Sequence, residues 1–135
     1  MTTTGKQIFT TLESDGTLTV EVASSEFPEP EGNQVLVRME AAPINPSDLA
    51  LLLGPADLEN AEYSPGKIVA KMPEPFNSGA KGRHGQRLPV GNEGAGEVIA
   101  TGDGDMAKAL MGKRVACVPG TAFAQFAIAD ASMCL

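Results

Sequence analysis

Glycine and proline punctuate this chain from end to end, and that punctuation constrains the fold more than any other feature. There are 15 Gly and 10 Pro among 135 residues, with few aromatics and no Trp. A helix needs an uninterrupted periodic stretch, whereas short strands fit between frequent turns. The sequence therefore predicts a mainly β chain with a few short helices.

The residues place these elements along the chain. Gln7 to Val22 predicts two strands around Ser14-Asp15-Gly16-Thr17, where Asp-Gly favours the positive φ values of a two-residue hairpin turn. Phe27 to Gly32, with two prolines, reads as a loop, and Asn33 to Ala42 as a strand with Val35, Val37 and Met39 on its apolar side. Asn45 to Gly54 predicts a short helix: Asn45 as N-cap, Pro46 at the first helical position, Asp48 complementing the dipole, Gly54 after the last turn. From Pro55 to Leu88 the pattern weakens. It suggests a helical turn at Ala56 to Ala61, a strand at Lys67 to Met72 and a polar loop. Leu88 to Gly102 leads small residues into a β-branched run, and glycines inside such a strand signal bends or close backbone approach. Asp105 to Met111 reads as a helix closed by Gly112; Lys113 to Val118 and Thr121 to Ala129 read as strands.

Size and charge narrow the function classes. A length of 135 residues suits one domain that needs neither disulfides nor a structural metal. With 10 Lys+Arg against 17 Asp+Glu the net charge is −7, which argues against nucleic acid as a partner. No segment reaches the ~20 apolar residues of a membrane span. Cys117 and Cys134 lack CxxC spacing, and the start of the chain lacks a signal or transit pattern, so a reducing, cytoplasmic setting is expected.

Most catalytic constellations fail against the inventory. The only histidine, His84, lies among glycines and charges in Gly79 to Arg87, read as a mobile, solvated loop unsuited to holding a base. Lys81, Arg83 and Arg87 in that loop offer a weak attraction for phosphate. One His and two distant Cys do not make a zinc set, and Cys117 in an apolar strand is expected to be buried. Gly94-Ala95-Gly96 has Ile99 where a dinucleotide fingerprint needs its third glycine, and a strand follows, so no Rossmann cofactor site lies within this chain.

What remains is Ala41-Ala42-Pro43-Ile44-Asn45-Pro46-Ser47-Asp48 combined with Leu88-Pro89-Val90-Gly91-Asn92-Glu93-Gly94-Ala95-Gly96-Glu97-Val98. Glu29 to Arg38, Gly112-Lys113-Arg114-Val115 and Ala124-Gln125-Phe126 follow in matching order. Over about residues 27 to 135 the sequence resembles the N-terminal, GroES-like catalytic domain of the medium-chain dehydrogenase/reductase superfamily. The resemblance implies a GroES-like, partly open β-barrel. Zinc alcohol dehydrogenases of this superfamily carry Cys where Asn45 stands and Gly-His-Glu where Gly91-Asn92-Glu93 stands. The pattern is similar instead to the zinc-independent quinone oxidoreductases and 2-enoyl thioester reductases.

That resemblance implies NADPH or NADH as cofactor, held mainly by a Rossmann domain of the parent protein, and no zinc. It implies a small conjugated carbonyl or quinone as substrate and leaves room for a homodimer of the full-length enzyme. The isolated domain is expected to be inactive. Asn45 is implied to face the nicotinamide side of the cleft while also capping its helix, with Ser47 and Asp48 bordering the cofactor. Asn92 and Glu93 are implied to organise the turn beneath the cleft. The enoyl reductases supply a tyrosine soon after the glycine ending this helix; here the only tyrosine is Tyr63, nine residues beyond Gly54, which makes it the candidate catalytic donor or else a surface residue. Two rivals stay open on the residues alone: a stand-alone β-barrel binding module, and a GroES-like assembly subunit without catalysis.

Overall fold

The computed structural model describes residues 2–135 and contains nine strands and three short helices. In chain order these are β1 (Thr3–Leu12), β2 (Thr17–Phe27), β3 (Gln34–Ala41), α1 (Pro46–Leu52), β4 (Asp57–Ser64), β5 (Lys67–Lys71), α2 (Phe76–Gly79), β6 (Arg87–Pro89), β7 (Gly94–Thr101), α3 (Asp105–Ala109), β8 (Arg114–Cys117) and β9 (Phe126–Asp130). They form a five-stranded sheet, β4-β5-β2-β1-β6, and a four-stranded sheet, β8-β7-β3-β9. The mainly β architecture expected from the turn residues is present.

The chain divides into two compact units. Among the described residues the first holds 2–7, 24–44 and 91–135, and its sheet is antiparallel throughout. Strand β3 is paired along both edges, and Val35, Leu36 and Val37 are all buried although they point alternately to the two faces, so both faces of β3 are covered here. Val35, Val37, Val98, Ala107, Val115 and Cys117 belong to one buried cluster. Small residues let β7 come close to β3. A Cβ on Gly96 would lie 2.8 Å from the Arg38 carbonyl carbon, and one on Gly94 2.8 Å from the Ala41 carbonyl oxygen. The close approach expected of these strand glycines is thus realised, as is the burial of Cys117 at 1% exposure.

The second unit holds residues 8–23 and 45–90, with Leu12, Leu18 and Met72 as its buried apolar cluster. Its hairpin corrects the two-residue turn expected at Asp15-Gly16. Glu13 N–H donates to the Thr17 carbonyl at 2.8 Å and Gly16 N–H to the Glu13 carbonyl at 3.0 Å, which makes a three-residue loop. Within this loop only Gly16 has a positive φ, at 90°; among the described residues no non-glycine residue has one. Asp15 keeps its ordinary backbone, and its carboxylate accepts the Thr17 N–H at 2.9 Å.

One other expectation fails between Pro55 and Leu88. The helical turn at Ala56 to Ala61 is instead strand β4, paired antiparallel to β5 with Tyr63 opposite Ile68 and Ser64 opposite Lys67. It is an edge strand whose side chains are nearly all exposed, so the alternation that betrays a strand never arises. The segment read as a mobile, solvated loop is mostly exposed, as expected of a solvated loop, and side chains within it make specific contacts. The His84 ring Nε2 lies 3.0 Å from Asn77 Oδ1 and 3.1 Å from the Asn77 carbonyl, and Arg87 sits 3.9 Å over the Phe9 ring and 3.5 Å from Glu21. The strand expected over Thr121 to Ala129 is confined to β9: Ala122 and Phe123 lie against the turn at Gly91, while Ala124 makes only an isolated bridge to Gln7 and Gln125 N–H donates to the Lys6 carbonyl at 2.9 Å.

Candidate functional site

Helix α1 carries three of the candidate residues, and its start is built as the sequence predicts. Asn45 has extended backbone angles, φ −90° and ψ 155°, and Pro46 opens the helix. The Asn45 N–H donates to Asp48 Oδ2 at 2.9 Å, and the Asp48 N–H returns to the Asn45 carbonyl at 3.0 Å. Asp48 is 1% exposed, so its carboxylate works inward as a brace on Asn45. Ser47 is exposed and Asn45 half-buried. Of the three, Asn45 and Ser47 are open to solvent.

The far end of α1 is fastened by residues that the local sequence does not reveal. Arg83 donates from Nη1 to the Leu51 carbonyl at 3.0 Å and from Nη2 to Thr10 Oγ1 at 3.2 Å, while Thr10 Oγ1 donates to the Leu52 carbonyl at 2.9 Å. The last carbonyls of any helix lack partners within it, so these bonds satisfy groups that are otherwise orphaned. Gly54 follows with φ 51°. Burial pushes the Arg83 guanidinium below its ordinary value.

Tyr63 lies on β4, 63% exposed, with its hydroxyl donating to the Leu58 carbonyl at 2.8 Å. In the same unit Pro46, Leu49, Leu53, Pro55, Leu58 and Phe76 line a hollow of about 580 Å³. Leu49 and Leu53 stand one helical turn apart, and Leu49 and Phe76 are 46% and 53% exposed. The leucine run predicts helix from its local pattern, and the exposure of its apolar side emerges only from the structure.

Asn92 and Glu93 belong to the other unit, in a tight turn. Gly91 has φ 110°, and a Cβ there would sit 2.5 Å from the Phe123 nitrogen. The Gly91 carbonyl accepts the Ala122 N–H at 2.9 Å and the Asn92 carbonyl accepts the Gly120 N–H at 3.2 Å. This geometry is available only to glycine at position 91. Among the described residues no group of three or more His, Cys, Asp or Glu side chains lies together as a metal site.

Comparison with known proteins adds a family signal. The model of the alcohol dehydrogenase GroES-like domain matches residues 31–135. No match to a curated protein was found. Among solved structures, the chain is similar to a protein assigned as an NADPH:quinone reductase from Mesorhizobium loti, with 26% identity and a TM-score of 0.62, covering 98% of this chain and 36% of that one. It is similar in fold to the quinone oxidoreductase from Coxiella burnetii, at 18% identity and TM-score 0.63, covering 98% and 37%. A crotonyl-CoA carboxylase/reductase in complex with NADP shares the fold at 19% identity and TM-score 0.60, covering 98% and 36%. The chain thus spans little more than a third of the length of each.

Proposed function

The chain belongs to the alcohol dehydrogenase GroES-like domain family, and from that membership we propose that it is the substrate-side domain of a zinc-independent, NAD(P)H-dependent oxidoreductase acting on quinones or enones. The observation that carries the reading is Asn45 itself. It caps α1 with its backbone N–H braced by buried Asp48, and it stands where the family's zinc enzymes place a cysteine. The donors present do not fit zinc: His84 is turned to Asn77, and Cys117 is buried in the apolar cluster of the first unit.

The nicotinamide supplies a hydride when bound, and this chain supplies position and hydrogen bonds. Asn45 and Ser47 would border it, through the Asn45 amide and the Ser47 hydroxyl, while Asp48 holds the loop-to-helix geometry. Hydride addition to a conjugated acceptor puts negative charge on its oxygen, which a hydroxyl donor stabilises without a Lewis acid. Tyr63 is the candidate for that donor; to serve, its hydroxyl releases the Leu58 carbonyl. The hollow along Leu49, Leu53 and Phe76 suits the apolar body of the acceptor. The cofactor domain is assigned to the parent polypeptide, which makes this chain alone inactive.

The test is NADPH oxidation by the parent polypeptide, followed at 340 nm with a benzoquinone and with a 2-alkenal, before and after a chelator. Turnover that survives the chelator is expected. Absence of turnover with every acceptor overturns the oxidoreductase reading, and loss of turnover on chelation overturns zinc independence. Micromolar NADPH binding to the 135-residue chain by calorimetry overturns its assignment as inactive alone.

A further inference from the structure

Cys117, the last residue of β8, and Cys134, just after the 3-10 turn Ala131–Met133, stand opposite each other in an isolated antiparallel bridge, and both are free thiols. The neighbouring pair exchanges both backbone hydrogen bonds: Ala116 N–H to the Leu135 carbonyl at 2.9 Å, and Leu135 N–H to the Ala116 carbonyl at 2.8 Å. In an antiparallel ladder the pair next to a doubly bonded pair is the non-hydrogen-bonded kind, with Cα atoms about 4.5 Å apart and both side chains on one face. A disulfide spans Cα separations of about 4.4–6.8 Å. The side chains agree with the backbone: Cys117 is buried in the core of its unit and Cys134 packs against the same cluster.

We propose that Cys117 and Cys134 form a reversible disulfide that ties residues 131–135 to β8, with a low-molecular-weight disulfide such as oxidised glutathione as the oxidant. The half-buried Cys134 thiolate attacks one sulfur of the oxidant and expels the first thiolate, leaving a mixed disulfide. Cys117 then attacks the Cys134 sulfur and expels the second. The two cysteine protons end on the two released thiols, so two cysteines are oxidised as one external disulfide is reduced.

The bridge closes beside a cavity of about 360 Å³ lined by Ala95, Cys117, Val118, Met133 and Leu135. One wall is β8 and another is the segment that Cys134 anchors, so the cross-link fixes the spacing between them. Burial pushes the Cys117 thiol up to about 11, with Cys134 beside it adding to the shift, and burial with nearby Asp130 also raises Cys134. Exchange therefore runs through a small thiolate fraction, which slows formation of the bridge. Bridging also ends the bond from Cys134 Sγ to the Asp130 carbonyl, 3.4 Å long in the reduced chain.

The experiment exposes the protein to oxidised glutathione, alkylates the remaining thiols and digests without reduction. Chymotryptic cleavage at Phe123 and Phe126 separates the two cysteines. The expected result is a linked peptide pair holding Cys117 and Cys134, and an intact mass about 2 Da below the reduced chain. The melting temperature should rise by roughly 10 °C and fall back with dithiothreitol. Cys134→Ser, which replaces the less buried partner, should keep the fold and show no rise. A stable mixed disulfide with glutathione, a disulfide-linked dimer, or two thiols still open to alkylation each overturns the proposal.

Discussion

The Arg83 guanidinium donates to the Leu51 carbonyl oxygen at 3.0 Å and so closes helix α1 from a segment 32 residues away. Its second arm reaches Thr10 Oγ1, which itself donates to Leu52. Two carbonyls at the end of one helix thus depend on a strand residue and a loop arginine.

Removing that clasp should cost stability. Arg83→Met strands the Leu51 carbonyl, and Thr10→Val strands Leu52 at a residue that is 0% exposed, so each should lower unfolding free energy by about 1–3 kcal/mol. Because both touch the same network, the double variant should lose less than the sum, with coupling of about 0.5–3 kcal/mol in a urea-denaturation cycle. Arg83→Lys should not rescue, since an ammonium cannot hold two acceptors in a planar fork. Full additivity would count against the shared network.

Gly96→Ala should be among the most damaging single-methyl changes in the chain. The new Cβ would press on the Arg38 carbonyl at the β3–β7 pairing, where backbone rather than a flexible side chain must move. A loss of about 3 kcal/mol or more is expected from the denaturation midpoint. Gly82→Ala, with nothing within 4 Å of its added methyl and no positive φ, should stay within about 0.5 kcal/mol of the parent.

Asn45 does two jobs that substitution can separate. Aspartate caps a helix as well as asparagine does, so Asn45→Asp should keep the melting temperature within a few degrees. It brings a negative charge and no amide donor to the proposed nicotinamide side, and turnover of the parent enzyme should fall at least about tenfold. Asn45→Ala should lower both, with about 1 kcal/mol of stability lost. Unchanged turnover in the aspartate variant would leave Asn45 as a cap alone. Asp48→Ala should mainly destabilise, because its carboxylate accepts the Asn45 N–H from a buried position.

Stability should fall in acid, and the sign follows from four exposed carboxylates. Hydrogen bonds from Thr17 hold Asp15 below its ordinary 3.8, those from Asn60 do the same for Asp57, and those from Ser132 for Asp130. Glu74 lies below 4.5 through Ser78. A carboxyl with a depressed folded value contributes fully above its unfolded value, and that contribution disappears as pH falls through the folded one. Urea midpoints should therefore be flat above about pH 5 and drop below about pH 4. Asp15→Asn and Asp130→Asn together should flatten that drop.

Much of the fold was legible because its signals are local. The N-cap at Asn45, the proline at position 46 and the glycine at 54 specify α1 through their own backbone preferences, and the structure places the helix there. The β-branched run around Val98 and the alternation at Val35 and Val37 likewise declare strands that the structure pairs with each other. Strand β4 was illegible for the converse reason. An exposed edge strand buries no face, so Asp57 to Ser64 carries no period-2 pattern, and its pairing to β5 rests on backbone bonds that sequence does not display.

The candidate site divides in the same way. Sequence alone determined the mainly β class, the family likeness, the helix that presents Asn45 and Ser47, and the scarcity of zinc donors, all of which are properties of residues or of short motifs. Tertiary structure decided that Asp48 points inward, that the apolar side of Leu49 and Leu53 stays open, that Arg83 clasps Leu51, and that Cys117 meets Cys134. Each of these is a relation between groups distant in sequence or between a side chain and solvent. Such relations depend on where the backbone returns, which no local preference encodes.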